Sequence, residues 1–400
     1  MSDLGSELSD NPHLTDTPET QQLRQQAGKL TFQEYLVIQG FDSLARHEFD
    51  SPDTAADLSI DRLRSKDGLI TKLHSDLLPL LHEKVTSLSE AMNPSELRTD
   101  TANKFALILE FQQQISQTLD QTIRTAQDII PGRVPKPFNT SDHHFEEFKL
   151  FRFHGLDELI RQSLNNHLRA LCRGYRHVIE KLMCPAARYL YYYDHHFEAL
   201  EWSIYCTTIL LGDSELNIIR VHWLKGTWDI VDGLEEVSSM ADPRPIHGIS
   251  ISEGGTQDKA LIQLSKPFIP IVKLSRLFFV KLSREIMNID QAASFTRMSS
   301  DEFDKLRCSA EEIGECVKNL AFHLSEAHTD ERAYTSRILI IRIEELTPYF
   351  QSYMALVILY IVPSYRDIYF RDWFVSWNTS FSVASYNAIQ SVHVFEQDEP

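Results

Sequence analysis

Glycine is scarce, at 14 residues in 400, and no Asn-Gly or Asp-Gly pair divides two alternating apolar runs; Asp67-Gly68, for one, precedes a helical pattern. Tight hairpins depend on such residues, so a significant β-sheet is not expected. Long apolar runs are missing as well. The most apolar late segment, Tyr353 to Val362, lies between Pro348 and Pro363 and falls far short of the ~20 residues that a spanning helix needs. The first thirty residues carry neither a basic n-region nor an apolar core, which predicts a cytoplasmic protein, with the nucleus as an alternative. Basic charge is in deficit: 39 Lys and Arg against 57 Asp and Glu leave a formal charge of −18. That balance repels polyphosphate, so nucleic acid is not an expected partner. The cysteines (Cys172, Cys184, Cys206, Cys308 and Cys316) are odd in number, form no C-x-x-C pair and sit in apolar helical patterns, as reduced, packed thiols do.

Catalytic signatures are absent in the same way. There is no G-x-x-x-x-G-K and no G-x-G-x-x-G, so the backbone cradle that holds phosphates in those nucleotide folds is missing. Gly248-Ile249-Ser250-Ile251-Ser252 starts like a nucleophile elbow but lacks the second glycine and the preceding strand, and reads as a polar loop. Two echoing segments, Asp142-His143-His144-Phe145-Glu146 and Asp194-His195-His196-Phe197-Glu198, come nearest to a metal site, because imidazole and carboxylate suit zinc or iron. Adjacent histidines on a helix nevertheless point about 100° apart, and the Glu-x-x-His pair of di-iron bundles is missing. His143 with Glu147 makes one i,i+4 pair, but Ala199 takes the matching place after His195. These residues read as polar groups on helix surfaces. No catalytic residue, metal or cofactor is therefore expected, and a metal-dependent enzyme using His195, His196 and Glu198 ranks third among the possible functions.

What the chain does contain is a helix period. With 42% hydrophobic and 24% charged residues it has the composition of a globular protein with a sizeable core. Apolar residues recur at three and four, as in Phe105, Leu109, Ile115, Leu119, Ile123 and Ala126. The expected fold is all-α: elongated antiparallel multi-helix bundles with no significant β-sheet. Residues 1–29, rich in Ser, Asp, Thr, Pro and Gln, read as a disordered acidic tail. An N-terminal helical unit follows over 30–130, a linker over 131–141, a larger bundle over 142–390 with a long loop at 242–257, and a tail over 391–400. Several helix starts are marked: Asn93-Pro94-Ser95-Glu96 for a helix to about Ile129, Gly212-Asp213 for one from Ser214, Ser299 with Glu302, and Ser364 with Asp367.

The segment Lys266 to Met287 carries the most information. Lys266, Lys273, Arg276, Lys281 and Arg284 gather on one arc, and Phe268, Ile271, Val272, Phe278, Phe279, Leu282 and Ile286 cover the other. Pro267 and Pro270 are expected to confine its regular part to Ile271 onward. In a bundle the apolar face would be core, with the cations turned to acids such as Glu311, Glu312 and Glu315. The alternative is an anionic partner or a membrane surface. In the last helix Tyr365, Tyr369, Trp373, Trp377 and Phe381 recur in steps of four, which predicts core packing, or a partner contact through Trp373 and Trp377. Tyr189, Tyr191, Tyr192 and Tyr193 point around a helix, so at least one ring is expected outside the core.

At Lys273-Leu274-Ser275-Arg276-Leu277-Phe278-Phe279, with its proline-containing lead-in, the chain resembles members of expanded, uncharacterised helical protein families of rust fungi. The resemblance covers mainly residues 140–390, and Val280 departs from the polar residue usual there. The multi-helix layout is also similar to cyclin-D1-binding-protein-like bundles. Both resemblances imply helical bundles and protein binding, and neither brings a catalytic residue. The leading expectation is a non-enzymatic protein–protein interaction or scaffold module, and the second is peripheral membrane attachment through residues 266–287.

Overall fold

The computed structural model describes residues 32–49, 54–181, 190–242, 257–287, 295–328, 331–361 and 367–397. The acidic tail, the Gly248–Ser252 loop, Cys184, the start of the last helix at Ser364 and the side chains of Tyr189 to Tyr193 lie outside the described residues.

The protein is all-α. Its helices are α1 (32–44), α2 (Ile60–Arg64), α3 (Asp67–Lys72), α4 (Leu78–Ala91), α5 (Pro94–Thr99), α6 (Thr101–Ile129), α7 (Leu150–Glu158), α8 (Asn165–Glu180), α9 (Leu190–Gly212), α10 (Glu215–Ala241), α11 (Gln257–Ser265), α12 (Phe268–Met287), α13 (Ser300–Ser325), α14 (Arg332–Tyr360) and α15 (Asp367–Gln397). Single π-helical turns join α3 to α4 and α7 to α8. Among the described residues there is no strand, only one isolated bridge between Ala55 and Arg133.

The helix boundaries correct the sequence reading in places. The helix expected from Asn93 to Ile129 is two helices, broken at Asp100, whose backbone (φ −138°, ψ 54°) is not helical. Asn93 caps the first by accepting from the Ser95 N–H at 3.1 Å. Gly212 stays inside α9, and Ser214, not Asp213, caps α10, accepting from the Asn217 N–H at 3.3 Å. α12 begins at Phe268, ahead of Pro270, because a proline in the first turn removes only an N–H that has no intrahelical acceptor. Residues 391–397, read as tail, continue α15. The capping box of Ser299 and Glu302 forms as expected.

The chain divides into two compact units: Met1–Asp57, Arg64–Arg133 and Leu156–Thr208 in the first, and Leu58–Leu63, Val134–Gly155 and Ile209–Pro400 in the second. In the first, α4 packs on α6. α1 is tied down by Gln112, which donates to the Val37 carbonyl at 2.9 Å, and by Arg176, which reaches Asp42 at 2.9 Å. The connection after α6 is not wholly exposed. Gly132 lies against the Thr54 carbonyl so closely that a Cβ there would come within 2.2 Å of it.

In the second unit α10 packs on α13 and α12, α13 on α14, α14 on α15, and α15 back on α12. Five helices thus close a ring. Its interior is aromatic: Trp223, Phe278, Phe279, Phe350, Trp377 and Phe381 are all buried, and each such side chain contributes roughly 1.5–3 kcal/mol by leaving water. α10 and α13 approach most closely. A Cβ on Gly226 would lie 2.7 Å from the Ala310 carbonyl carbon, and one on Gly314 would lie 2.8 Å from Cβ of Asp229. Glycine at these crossings lets the two backbones come together and leaves Trp223 between them, donating from Nε1 to the Leu306 carbonyl at 2.8 Å and to Ser309 Oγ at 2.9 Å.

Candidate functional site

The ring fixes how α12 presents itself. Phe268, Ile271, Val272, Phe278, Phe279, Leu282 and Ile286 are all buried, while Lys266, Lys273, Arg276 and Arg284 are exposed. Leu277, 47% exposed, lies in the middle of this cationic ridge. The acids first expected to face it are engaged elsewhere: Glu311 lies 4.0 Å from His222, Glu312 accepts from the Tyr353 hydroxyl, and Glu315 accepts from Asn319 at 3.3 Å. Among the described residues no carboxylate pairs with Lys266, Lys273, Arg276 or Arg284. Lys281 differs. It binds Glu285 at 2.8 Å and the Tyr369 hydroxyl at 3.3 Å, and the bond to Glu285 leads the causes that raise its pKa.

The aromatic stripe of α15 divides along its length. Trp377 and Phe381 are in the core, where Trp377 donates to the Leu274 carbonyl at 3.0 Å and stacks on Phe381 at 5.1 Å. Trp373 is half-buried, 6.5 Å from Phe278. Tyr369 is 65% exposed, at the end of the ridge. A stripe with steps of four winds round its helix, so it runs from the surface into the core.

The two His-His-Phe-Glu segments do not share a setting. His195 and Glu198 are exposed on α9, with His196 half-buried beside them. His143 and His144 are in a turn before a 3₁₀ segment, not on a helix as expected, and Glu146 there has φ 50°. Among the described residues no group of three or more His, Cys, Asp or Glu is placed to hold a metal. The structural weight of the first segment falls on Asp142 instead. Its carboxylate accepts from the Ser300 N–H at 2.8 Å, from Ser300 Oγ at 2.5 Å and from the Leu150 N–H at 2.8 Å, so it caps α13 and α7 together. Burial raises its pKa, but the bonds from Ser300 and Leu150 outweigh that and hold it below the ordinary value. Its contribution to stability is accordingly present above the unfolded pKa and lost as pH falls through the folded one.

Beside that cap is a fully buried ion pair. Lys149 Nζ lies 2.8 Å from Glu215 Oε1 and 3.0 Å from Oε2, both side chains at 0% exposure. Lys149 also donates to the Thr296 carbonyl at 2.8 Å, and Glu215 accepts from the Thr296 N–H at 2.9 Å and Oγ at 2.5 Å. Arg152, one turn on, covers the C-terminal carbonyls of α9, donating to Leu210 and, at 3.1 Å, to Asp213. Burial lowers its pKa. Every hydrogen of the ammonium and both carboxylate oxygens are satisfied, the condition under which a buried pair is tolerated. The pair joins the segment before α7, the first turn of α10 and the segment before α13. It holds helix ends in register, and with no open face it offers nothing to a substrate.

The chain matches two domains of unknown function. Residues 66–207 match the family model of the domain of unknown function DUF8723, and residues 214–390 match that of DUF8721. No curated protein and no solved structure matches. Neither family description mentions rust fungi or cyclin-D1-binding bundles. The DUF8721 match opens at Ser214, the cap of α10, and takes in the ridge and all five helices of the ring as far as residue 390.

The buried pair is not legible in the sequence, because its partners are separated by 66 positions. The one local signal is Lys149 itself, a single cation between Phe148 and Leu150-Phe151, where a solvated lysine would strand apolar neighbours.

Proposed function

We propose that the chain is a non-enzymatic protein–protein interaction module that receives an acidic partner segment on the cationic ridge of α12. The observation that carries this is the set of exposed cations (Lys266, Lys273, Arg276 and Arg284) that no carboxylate of the described residues answers, in a chain of formal charge −18. Lys273 and Arg284 are about 16 Å apart along the helix, a span suited to an extended acidic segment, with Leu277 as an apolar contact between them. The resemblance to helical families that imply protein binding supports the same reading. We place the module in the cytoplasm or nucleus.

A membrane surface fits the ridge less well. A helix lying in the interface needs its apolar face, and that face of α12 is core. Cations alone contribute about 1 kcal/mol each near an anionic surface, so four of them reach roughly 4 kcal/mol, a millimolar affinity.

The test compares the full chain with its Lys273→Glu/Arg276→Glu/Arg284→Glu variant, all three positions being exposed. The parent is expected to retain a defined set of proteins from native extract and the variant to lose it, with neither floating on phosphatidylserine vesicles. An identical set on both chains, or none on the parent, contradicts the proposal. Flotation of the parent abolished in the variant replaces it with the membrane reading.

A further inference from the structure

The crossing of α10 and α13 encloses an ionisable ring. His222, beside Trp223 and one turn before Gly226, is 8% exposed. A Cβ on Gly226 would lie 2.7 Å from the Glu311 nitrogen, so His222 sits next to the tightest part of the contact. Across the crossing its Nδ1 is 4.0 Å from Glu311 Oε1.

The surroundings decide whether the imidazole can take a second proton. On α13, Glu311 favours the charged ring, but its side chain is 44% exposed and water screens it. Arg307, one turn before Glu311, opposes the charge and is fixed by Asp304, which accepts from its Nε at 3.2 Å and its Nη2 at 2.5 Å. Lys225, three positions along α10, opposes it as well. The other helices packed on α10 are α11 and α12, and among the described residues their buried side chains are uncharged: Leu264 and Ser265 on α11, Phe278, Phe279 and Ser283 on α12. Burial is therefore the largest influence on the ring. It holds the pKa of His222 below the ordinary value, with Glu311 acting against it and Arg307 and Lys225 acting with it.

The sign of the linkage follows. An unfolded chain binds this proton at about pH 6.5, and the folded chain binds it only at lower pH. What neutral His222 contributes to stability is complete above about pH 6.5 and is lost as pH falls from there through the folded pKa. Unshifted carboxylates ionise near pH 4, below the start of that window.

We propose that His222 is an acid-sensitive latch of the second unit: neutral, it lets α10 and α13 close on each other, and protonated, it loosens their crossing. The effect passes to α12, because Trp223 at the crossing packs on Phe279 at 5.8 Å between ring centres. The latch is independent of what occupies the α12 ridge.

Urea unfolding of the full chain, followed by tryptophan fluorescence at about pH 7.5 and about pH 5.5, reads the latch. Trp223, Trp228, Trp373 and Trp377 all belong to the second unit. Between the two conditions the unfolding equilibrium constant of the parent is expected to rise by up to about tenfold more than that of His222→Gln, whose amide takes no proton. A nuclear magnetic resonance titration of histidine-labelled chain follows the same ring without unfolding, its signal being the one missing from His222→Gln. The midpoint is expected below about pH 6.5, moving up in Arg307→Gln and down in Glu311→Gln. Equal pH dependence of unfolding in the parent and His222→Gln, a midpoint at or above the ordinary value, or a midpoint that neither neighbouring substitution moves overturns the proposal.

Discussion

Replacing Lys149 with methionine is expected to lower the unfolding free energy of the second unit by about 3–5 kcal/mol, because it leaves the Glu215 carboxylate charged, buried and without its counter-ion. Glu215 is at 0% exposure and cannot recover water without opening the start of α10. For a unit of this size that loss corresponds to a fall in melting temperature of roughly 6–20 °C. Adding Glu215→Gln to Lys149→Met is expected to restore much of it. The amide carries no charge, and its oxygen still accepts from the Thr296 N–H, which the carboxylate holds at 2.9 Å. Recovery in the double variant is what separates an uncompensated charge from a simple loss of packing. Urea titration of the parent, both single variants and the double variant measures it. A Lys149→Met chain as stable as the parent would mean that the pair is solvated.

Trp223→Ala is expected to cost a further about 3–5 kcal/mol by leaving a cavity at the α10–α13 crossing. The neighbourhood has little freedom to collapse, since Gly226 and Gly314 already hold the two backbones in contact. Trp223→Phe divides the effect. It keeps most of the ring volume and removes the N–H that reaches Leu306 and Ser309. The Ser309 hydroxyl still donates to the Leu306 carbonyl at 2.8 Å, so no acceptor is stranded and the expected cost is nearer about 1–2 kcal/mol. Equal losses for alanine and phenylalanine in thermal melts would place the importance of Trp223 in its hydrogen bonds, not its volume.

These two sites differ in how far the sequence reveals them. The α-helical class is legible because a three-and-four period has one physical solution, and the caps at Asn93 and Ser299 are legible because short polar side chains satisfy free N–H groups within three residues, whereas the cap of α10 falls on Ser214 one residue after the Asp213 expected. The α12 ridge is legible for the same reason: periodicity sorts cations from phenylalanines on one helix. Periodicity does not say which neighbour a face meets. Trp373 and Trp377 are one turn apart in the same stripe, yet Trp377 bonds to Leu274 in the core and Trp373 stays half-buried. Lys149 with Glu215, and Asp142 with Ser300, are joined only by the tertiary fold. Asp142 opens a motif that drew attention for its histidines, while its own carboxylate organises two helix ends.

Amine-reactive footprinting of the native full chain, read by mass spectrometry over time, tests most directly how the ring distributes its cations. Lys266 and Lys273 are expected to be modified at the rate of free surface lysines, and Lys149 only when the second unit unfolds. Prompt labelling of Lys149 would contradict the closed ion pair, and protection of Lys273 in the isolated chain would contradict the open ridge.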